Sequence, residues 1–129
     1  MNDQKVVVTG GTGLVGREVV RALREAGYAV VVMTRSKGRP TEPGVRFAPW
    51  DGRSSEELTA ALLGAKAVVH LAGENVGQRW TADAKRRILQ SREEGGRALK
   101  AAVRALPDGE QPVVVAASAI GWYADSDAW

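Results

Sequence analysis

Short runs of apolar, mostly β-branched residues alternate with amphipathic stretches along the chain. The apolar runs, which predict strands, lie at residues 6–9, 28–34, 45–49, 67–71 and 113–117. Apolar residues recur at helical spacing between them, which predicts helices at residues 14–26, 54–63 and 81–106. Strands that are apolar on both sides and separated by helices are typical of a parallel sheet covered on both faces. The pattern therefore predicts an α/β fold with a Rossmann-like, doubly wound parallel sheet of five strands in the order 3-2-1-4-5.

Residues with strong positional preferences mark the ends of the predicted helices. Gly27 is expected to end the first helix and Gly64 the second. The segment Ser54–Glu57 has the spacing of a capping box, in which the two end residues satisfy each other's backbone donors. Gly95 and Gly96 lie inside the third helix at a cost of about 1 kcal/mol each relative to Ala, so we expect a kink or a close contact there.

The most informative segment is the turn between the first strand and the first helix. Its glycines at positions 10, 13 and 16 have the spacing Gly-x-x-Gly-x-x-Gly. In such a loop the first glycine allows a tight exit from the strand, the second lets the backbone approach a pyrophosphate, and the third lets the helix pack closely on the strand. The helix then points its amino-terminal amides at the anion. This placement favours a dinucleotide-binding loop over a turn that serves packing alone.

A nucleoside triphosphatase loop is the nearest alternative, because Gly11 to Gly16 also fits Gly-x-x-x-x-Gly. That chemistry needs Lys and then a hydroxyl for magnesium at the next two positions, which here hold Arg17 and Glu18. A carboxylate at that point repels phosphates, which excludes the triphosphatase.

The residues after the second strand select between the two nicotinamide dinucleotides. Arg35 follows Gly16 by 19 positions, and no Asp or Glu occurs between Glu25 and Glu42. NAD sites place a carboxylate there for the ribose 2′-hydroxyl, whereas NADP sites place a cation for the 2′-phosphate. We therefore expect NADP(H), held by Arg35 and Ser36. A solvated basic loop is the alternative, and the missing carboxylate counts against a methyltransferase that uses S-adenosylmethionine.

Composition excludes several other classes of protein. The chain has 129 residues, and we predict a single NADP(H)-binding domain over residues 1–129. Its 18 Lys and Arg and 15 Asp and Glu are scattered, so no nucleic-acid surface is indicated. The absence of Cys and the single His exclude disulfides, thiolate catalysis and a Cys- or His-rich metal site. The amino terminus lacks a signal-peptide pattern and no apolar run approaches the ~18 residues of a membrane span, so we expect a cytoplasmic protein.

Several longer motifs together carry a resemblance to a known family. They are Thr9-Gly10-Gly11-Thr12-Gly13-Leu14-Val15-Gly16, His70-Leu71-Ala72-Gly73-Glu74-Asn75-Val76, Arg79-Trp80-Thr81 with Ser91-Arg92, and Ala117-Ser118-Ala119-Ile120-Gly121-Trp122-Tyr123. With these motifs the chain resembles the short-chain dehydrogenase/reductase superfamily, in its extended, epimerase/dehydratase-like branch. Within that branch it is similar to an atypical group labelled nucleoside-diphosphate-sugar epimerases or cell-division inhibitors. The likeness covers nearly the whole chain.

The resemblance implies cofactor contacts along the carboxyl ends of the strands. Gly73 would run along the adenosine ribose and the pyrophosphate, with Leu71 and Ala72 as walls of the site. Asp51 is expected either near the adenine amino group or in a turn with Gly52, and both alternatives stay open. The predicted NADP(H) contacts are Gly10, Thr12, Gly13, Leu14, Val15, Gly16, Arg35, Ser36, Asp51, Leu71, Ala72 and Gly73.

The resemblance also implies the catalytic residues. Ser118 would donate a hydrogen bond to the substrate carbonyl or alcohol, polarising a carbonyl as hydride arrives. The usual Tyr-x-x-x-Lys pair is absent, because neither tyrosine has a lysine four residues on. Tyr123 matches an aromatic near the substrate and is the second catalytic candidate, with a packing role as its alternative. His70 lies on an apolar strand and is expected to be packed in the core rather than to act as acid or base.

These observations predict an NADP(H)-binding oxidoreductase or epimerase/dehydratase-like protein that acts on a sugar nucleotide or a small carbonyl compound. The alternative is a non-catalytic NADP(H)-binding or redox-sensing module. Full-length relatives would continue into a sixth strand and a substrate domain, so we expect the chain to be the cofactor half, truncated after the fifth strand. The apolar run 113–115 would then lie at a sheet edge, which predicts self-association through this strand or the long helix.

Overall fold

The computed structural model describes residues 4–11, 13–35, 42–71 and 81–116. In chain order the elements are β1 (Lys5–Thr9), α1 (Leu14–Glu25), β2 (Ala29–Thr34), β3 (Val45–Pro49), α2 (Ser55–Leu62), β4 (Ala65–His70), α3 (Ala82–Arg104) and β5 (Val113–Ala116). All strand pairs are parallel and the sheet order is β3-β2-β1-β4-β5. The predicted fold class and strand order are therefore confirmed, and the described ends of the elements differ from the expected ones by at most two residues.

Successive residues of the strands belong to two separate apolar layers, one on each face of the sheet. Val7, Val31 and Val68 pack with α2 and α3 on one face. Val6 and Val8 pack on the other face, against residues of α1. Because β1 is central and its side chains alternate between the faces, both layers depend on one short valine run. Burial of each such side chain contributes about 1.5–3 kcal/mol as an upper estimate.

The amino end of α2 differs from its expected form. Ser54 is the residue before the helix, but its side chain makes no capping hydrogen bond. Its backbone N–H instead donates to Asp51 Oδ1 at 2.7 Å, and the same oxygen accepts the Arg53 N–H at 2.8 Å. The expected capping box is therefore wrong, because the donor that Glu57 would have satisfied is already used by a turn centred on Asp51.

The carboxyl end of α1 has the form that its sequence predicts. Gly27 has a φ of +90°, which only glycine adopts without strain. Its N–H donates to Arg24 O at 2.9 Å, and the Tyr28 N–H donates to Leu23 O at 3.0 Å. This is a Schellman arrangement, which ends the helix and turns the chain directly into β2.

The two glycines inside α3 have unlike surroundings. A Cβ added at Gly95 would lie 3.3 Å from His70 Cε1 and 3.4 Å from His70 Nε2, so this glycine brings the helix close to the end of β4. A Cβ at Gly96 would meet nothing within 4 Å. The expected close contact is thus present at Gly95, and α3 continues through both positions. Among the described residues, no helix is long and apolar enough to cross a membrane.

Candidate functional site

The loop after β1 is shaped by backbone packing between its glycines. Gly10 has a φ of +74°, and its carbonyl accepts the Gly13 N–H at 3.2 Å. Gly16 lies directly beneath this turn: an added Cβ would overlap Gly10 O and would lie 2.7 Å from Gly11 Cα. Since backbone atoms cannot move aside, no side chain fits at position 16. Gly10 and Gly16 thus have the geometry expected of the first and third glycines of a dinucleotide loop.

Gly11 is a constrained residue that the sequence analysis missed. It is buried, and an added Cβ would lie 2.9 Å from Val32 Cγ1 and 3.2 Å from Val20 Cγ2. The constraint comes from β2 and α1, which close over the loop from the two sides. A contact between residues so far apart in the chain leaves no local sequence signal.

The amino end of α1 is open toward this loop. Gly13 precedes the helix and provides no side-chain cap, and the first turn contains no acidic residue. The side chains of Leu14 and Val15 are 77% and 64% exposed. A Cβ at Gly13 would have Gly10 O, at 3.5 Å, as its nearest neighbour, so the space in front of the turn is free among the described residues. The first-turn amides and the helix dipole therefore face a space that an anion can enter. Thr12 lies outside the described residues.

Arg35 follows the carboxyl end of β2, the strand that lies next to β1. Thr9 is paired with Met33 in the sheet, so Gly10 and Arg35 emerge close to one another at the same edge. The Arg35 guanidinium lies over Gly52, where an added Cβ would be 3.3 Å from Arg35 Nη2. Among the described residues it has no carboxylate partner. Ser36 lies outside the described residues.

A cleft of about 550 Å³ opens between the ends of β2 and β3 and the side of α3. Arg35, Arg53 and Arg87 contribute positive charge to its walls. Three carboxylates also line it, those of Asp51, Glu57 and Glu94. Arg53 and the α3 residues that line this cleft were not predicted from the sequence, because only tertiary packing brings that helix opposite Arg35.

Asp51 has a structural role that the geometry makes explicit. Its Oδ1 accepts the backbone N–H groups of Ser54 and Arg53, and these bonds lower the pKa of its carboxyl below the ordinary value. The carboxylate is exposed and also lines the cleft. The turn is therefore present, while contact with adenine stays a prediction.

His70, at the end of β4, is packed between neighbouring elements. A hydrogen bond of 2.8 Å joins its Nδ1 to Thr9 Oγ1, and its ring meets the Trp50 ring edge-on with centroids 6.3 Å apart. Burial, and secondarily the charge of Arg92, lower its pKa below the ordinary value. These contacts agree with the expected packed residue, which stays neutral near pH 7.

Leu71 is the described part of the predicted loop after β4. It is half-buried, and its N–H donates to Thr9 O at 3.0 Å, which continues the β1–β4 pairing beyond the strand. Leu71 thus lies at the same sheet edge as Gly10. Four further predicted site residues lie outside the described residues: Ala72, Gly73, Ser118 and Tyr123.

A parallel sheet of this order, with a glycine turn leading from its first strand into a helix, defines a Rossmann-type dinucleotide-binding fold of the short-chain dehydrogenase/reductase kind. Residues 6–128 match the NAD dependent epimerase/dehydratase family, and the chain belongs to this family. The resemblance inferred from the sequence motifs is therefore confirmed.

Relatives of known name agree with this assignment. The chain is 33% identical over 130 residues to the chloroplastic epimerase family protein SDR39U1 homolog of Arabidopsis thaliana, covering 95% of this chain and 36% of that protein. Uronate dehydrogenase from Agrobacterium tumefaciens superposes with a TM-score of 0.73 at 27% identity, over 92% of this chain and 42% of that one. The human epimerase family protein SDR39U1, solved with NADPH, gives a TM-score of 0.69 at 29% identity, over 93% and 38%. The chain thus spans well under half the length of these relatives.

Proposed function

We propose that the chain binds NADP(H) at the carboxyl edge of its sheet and forms the cofactor-binding domain of an oxidoreductase or epimerase/dehydratase. One observation carries the proposal: among the described residues the amino end of α1 has no side-chain cap and the Arg35 guanidinium has no carboxylate partner, and the two emerge from neighbouring strands at the same edge. Helix amides suit a pyrophosphate, and a guanidinium suits the adenosine 2′-phosphate. In this proposal residues 1–129 act as one cofactor-binding unit.

The choice of NADP(H) over NAD(H) rests on Arg35. No Asp or Glu lies between Glu25 and Glu42 to take a ribose 2′-hydroxyl. The human relative solved with NADPH supports this choice, whereas a variant of the Agrobacterium dehydrogenase was solved with NAD. The similar structures thus include one with each dinucleotide, and we expect the residue after β2 to decide between the two cofactors in this chain.

The proposed loop contacts divide by position along the cofactor. Gly13, Leu14, Val15 and Gly16, with Gly10 and Thr12, would face the pyrophosphate at the open end of α1. Arg35, Ser36 and Asp51 would face the adenosine end, and Leu71, Ala72 and Gly73 would continue the wall beside β4. When bound, the cofactor supplies or accepts a hydride at its nicotinamide ring.

The catalytic residues in this proposal are Ser118 and Tyr123. The Ser118 hydroxyl would hold the substrate oxygen and stabilise charge that develops on it. Tyr123 would offer a second hydroxyl near the same oxygen. Uronate dehydrogenase and a UDP-N-acetylglucosamine 4-epimerase from Bacillus cereus are among the similar structures, which supports a sugar nucleotide or a small carbonyl compound as substrate.

A second candidate function is a non-catalytic NADP(H)-binding or redox-sensing module. The described site supports it directly, because the glycine turn and Arg35 supply groups that bind a dinucleotide and neither is a general acid or base. The two functions differ in turnover. In a chain extended to the length of its relatives, oxidation of NADPH by carbonyl substrates that is lost in Ser118→Ala supports an enzyme, whereas binding without turnover supports the module.

Titration with NADPH and NADH tests the proposed cofactor. We expect the wild-type chain to bind NADPH at least about tenfold more tightly, and Arg35→Asp to abolish or reverse this preference by removing the cation and adding repulsion. Arg46→Asp is the matched control, since Arg46 is exposed near the opposite end of β3. Equal affinity of the wild-type chain for both dinucleotides would overturn the proposed selectivity.

A further inference from the structure

Arg53 shares the cleft with Arg35 but reaches it from a different loop. Gly52 lies between the two: an added Cβ at Gly52 would be 3.3 Å from Arg35 Nη2, and the next residue in the chain is Arg53. The backbone of this loop is fixed, because Asp51 Oδ1 accepts the N–H groups of both Arg53 and Ser54. The origin of the Arg53 side chain is therefore held in place beside Arg35.

The side chain of Arg53 is only weakly engaged. Its Nε lies 4.0 Å from Glu94 Oε2 on α3, at the outer limit of an ion pair, and its side chain is 67% exposed. Glu94 is 28% exposed and is oriented by Gln90, whose Nε2 donates to Glu94 Oε1 at 3.0 Å. An exposed pair at this distance contributes little stability. A phosphate, which carries more charge and accepts two guanidinium bonds at once, can displace the carboxylate.

We propose that Arg53 is a second specificity-determining cation for the adenosine 2′-phosphate, and that Glu94 holds it in the cleft until the phosphate arrives. On binding, the Arg53 guanidinium exchanges the Glu94 carboxylate for the phosphate, which then lies between Arg53 and Arg35. This inference rests on the proposed NADP(H) function and adds a residue and a competing carboxylate to it.

Removal of the Glu94 carboxylate should affect NADPH binding in the direction opposite to removal of Arg53. In the bound state Glu94 lies near the phosphate without its partner, so the two negative charges repel one another. Removal of the Glu94 charge should therefore strengthen binding of a 2′-phosphorylated ligand. It should leave a ligand without that phosphate unaffected.

The experiment compares the affinities of NADPH and NADH for the full chain and four variants. Arg53→Gln should weaken NADPH binding by about tenfold and change NADH binding by less than about twofold. Glu94→Gln should strengthen NADPH binding by several-fold. Arg97→Gln and Glu93→Gln are matched controls, because Arg97 and Glu93 form an ion pair of 3.9 Å on the same helix but do not line the cleft. Neither control should change the NADPH-to-NADH ratio.

The outcomes separate this inference from the proposed function. An unchanged ratio in Arg53→Gln, together with a lost preference in Arg35→Asp, would overturn the role of Arg53 and leave NADP(H) binding standing. Equal weakening of NADPH and NADH in Arg53→Gln would also overturn it, since the lost contact would not be to the 2′-phosphate. A wild-type chain without preference for NADPH would overturn both. Opposite shifts in Arg53→Gln and Glu94→Gln, confined to NADPH, are the expected result.

Discussion

At the residue scale, the fold requires some glycines of the first loop and not others. Gly11 and Gly16 are required by the fold, because an added Cβ at either would collide with atoms of β2 or of the loop backbone. Gly13 is exposed, and an added Cβ there would meet no atom of the described residues closer than 3.5 Å, so the described fold alone does not demand glycine there. The proposed pyrophosphate contact at Gly13 would account for the absence of a side chain from this position.

Alanine substitutions can separate these two requirements. Gly16→Ala should lower the free energy of unfolding by about 2 kcal/mol or more, since the methyl group overlaps backbone that cannot shift. Gly13→Ala should change it by no more than about 1 kcal/mol, yet weaken NADPH binding at least about tenfold. Urea unfolding and NADPH titration of both variants check the pair. Normal NADPH binding by Gly13→Ala would contradict the assigned role of the loop.

His70 gives the stability a specific dependence on pH. Burial holds its folded-state pKa below the ordinary value of 6.5, so the unfolded chain binds the proton more readily. The contribution of the neutral His70 ring to the free energy of unfolding is therefore fully present above pH 6.5. It is lost as the pH falls through the folded-state pKa. We expect His70→Gln to show a shallower loss of unfolding free energy between about pH 7 and pH 5 than the wild-type chain. Parallel curves for the two proteins would show that His70 does not carry this dependence.

At the scale of single elements, the sequence predicts most of what is local. Valine runs and glycine stops located the strands and the end of α1, because those signals act within a few residues. The predicted capping box at α2 was wrong, because the Ser54 N–H donates to Asp51, which lies outside the four-residue pattern. The face of α3 that contacts His70 also depends on tertiary packing. The sequence pattern predicted only a kink or a close contact at the glycine pair of this helix.

The adjacent glycines of α3 offer a test with an internal control. Gly96→Ala should raise the free energy of unfolding by about 0.5–1 kcal/mol, because the site is open and alanine favours helix. Gly95→Ala should gain less or lose stability, since its methyl group would press on the His70 ring at 3.3 Å. Thermal or urea unfolding of both variants measures the difference. Equal stabilisation by both substitutions would contradict the close approach of α3 to β4.

At the scale of the whole molecule, β5 forms an apolar edge of the sheet that no other described strand covers. β5 lies at the edge, and the side chains of Val113, Val114 and Val115 are 64%, 44% and 52% exposed. The strand register places Val115 opposite Val69, on the α1 face of the sheet. Parallel strands are normally covered on both faces, and an uncharged edge can pair with another chain.

Self-association of the 129-residue chain through β5 therefore stays a prediction. We expect light scattering to show a mass that rises with concentration, and Val114→Lys to reduce it by placing a charge on the edge strand. Leu63→Lys is the control, because Leu63 is also exposed, at 55%, but follows α2 rather than the edge. A monomer at all concentrations in the unmodified chain would contradict the prediction.

The sequence predicts the candidate site in part. The loop glycines and Arg35 follow from spacing along one strand–helix–strand unit, and the structure brings them to one edge. The wall formed by Arg53 and Glu94 joins residues 41 positions apart and arises only when α3 packs beside the loop that follows β3. Family resemblance located further candidates, of which Ser118 and Tyr123 stay predictions.

The most direct test of the central claim is an NMR titration of the isotopically labelled chain with NADPH, followed through backbone amide shifts. The account predicts the largest changes at the amides of residues 13–16, where the open end of α1 would meet the pyrophosphate, and further changes at Arg35 and at 51–53. Addition of NADPH that leaves these amides unchanged, or shifts only residues elsewhere, would contradict it.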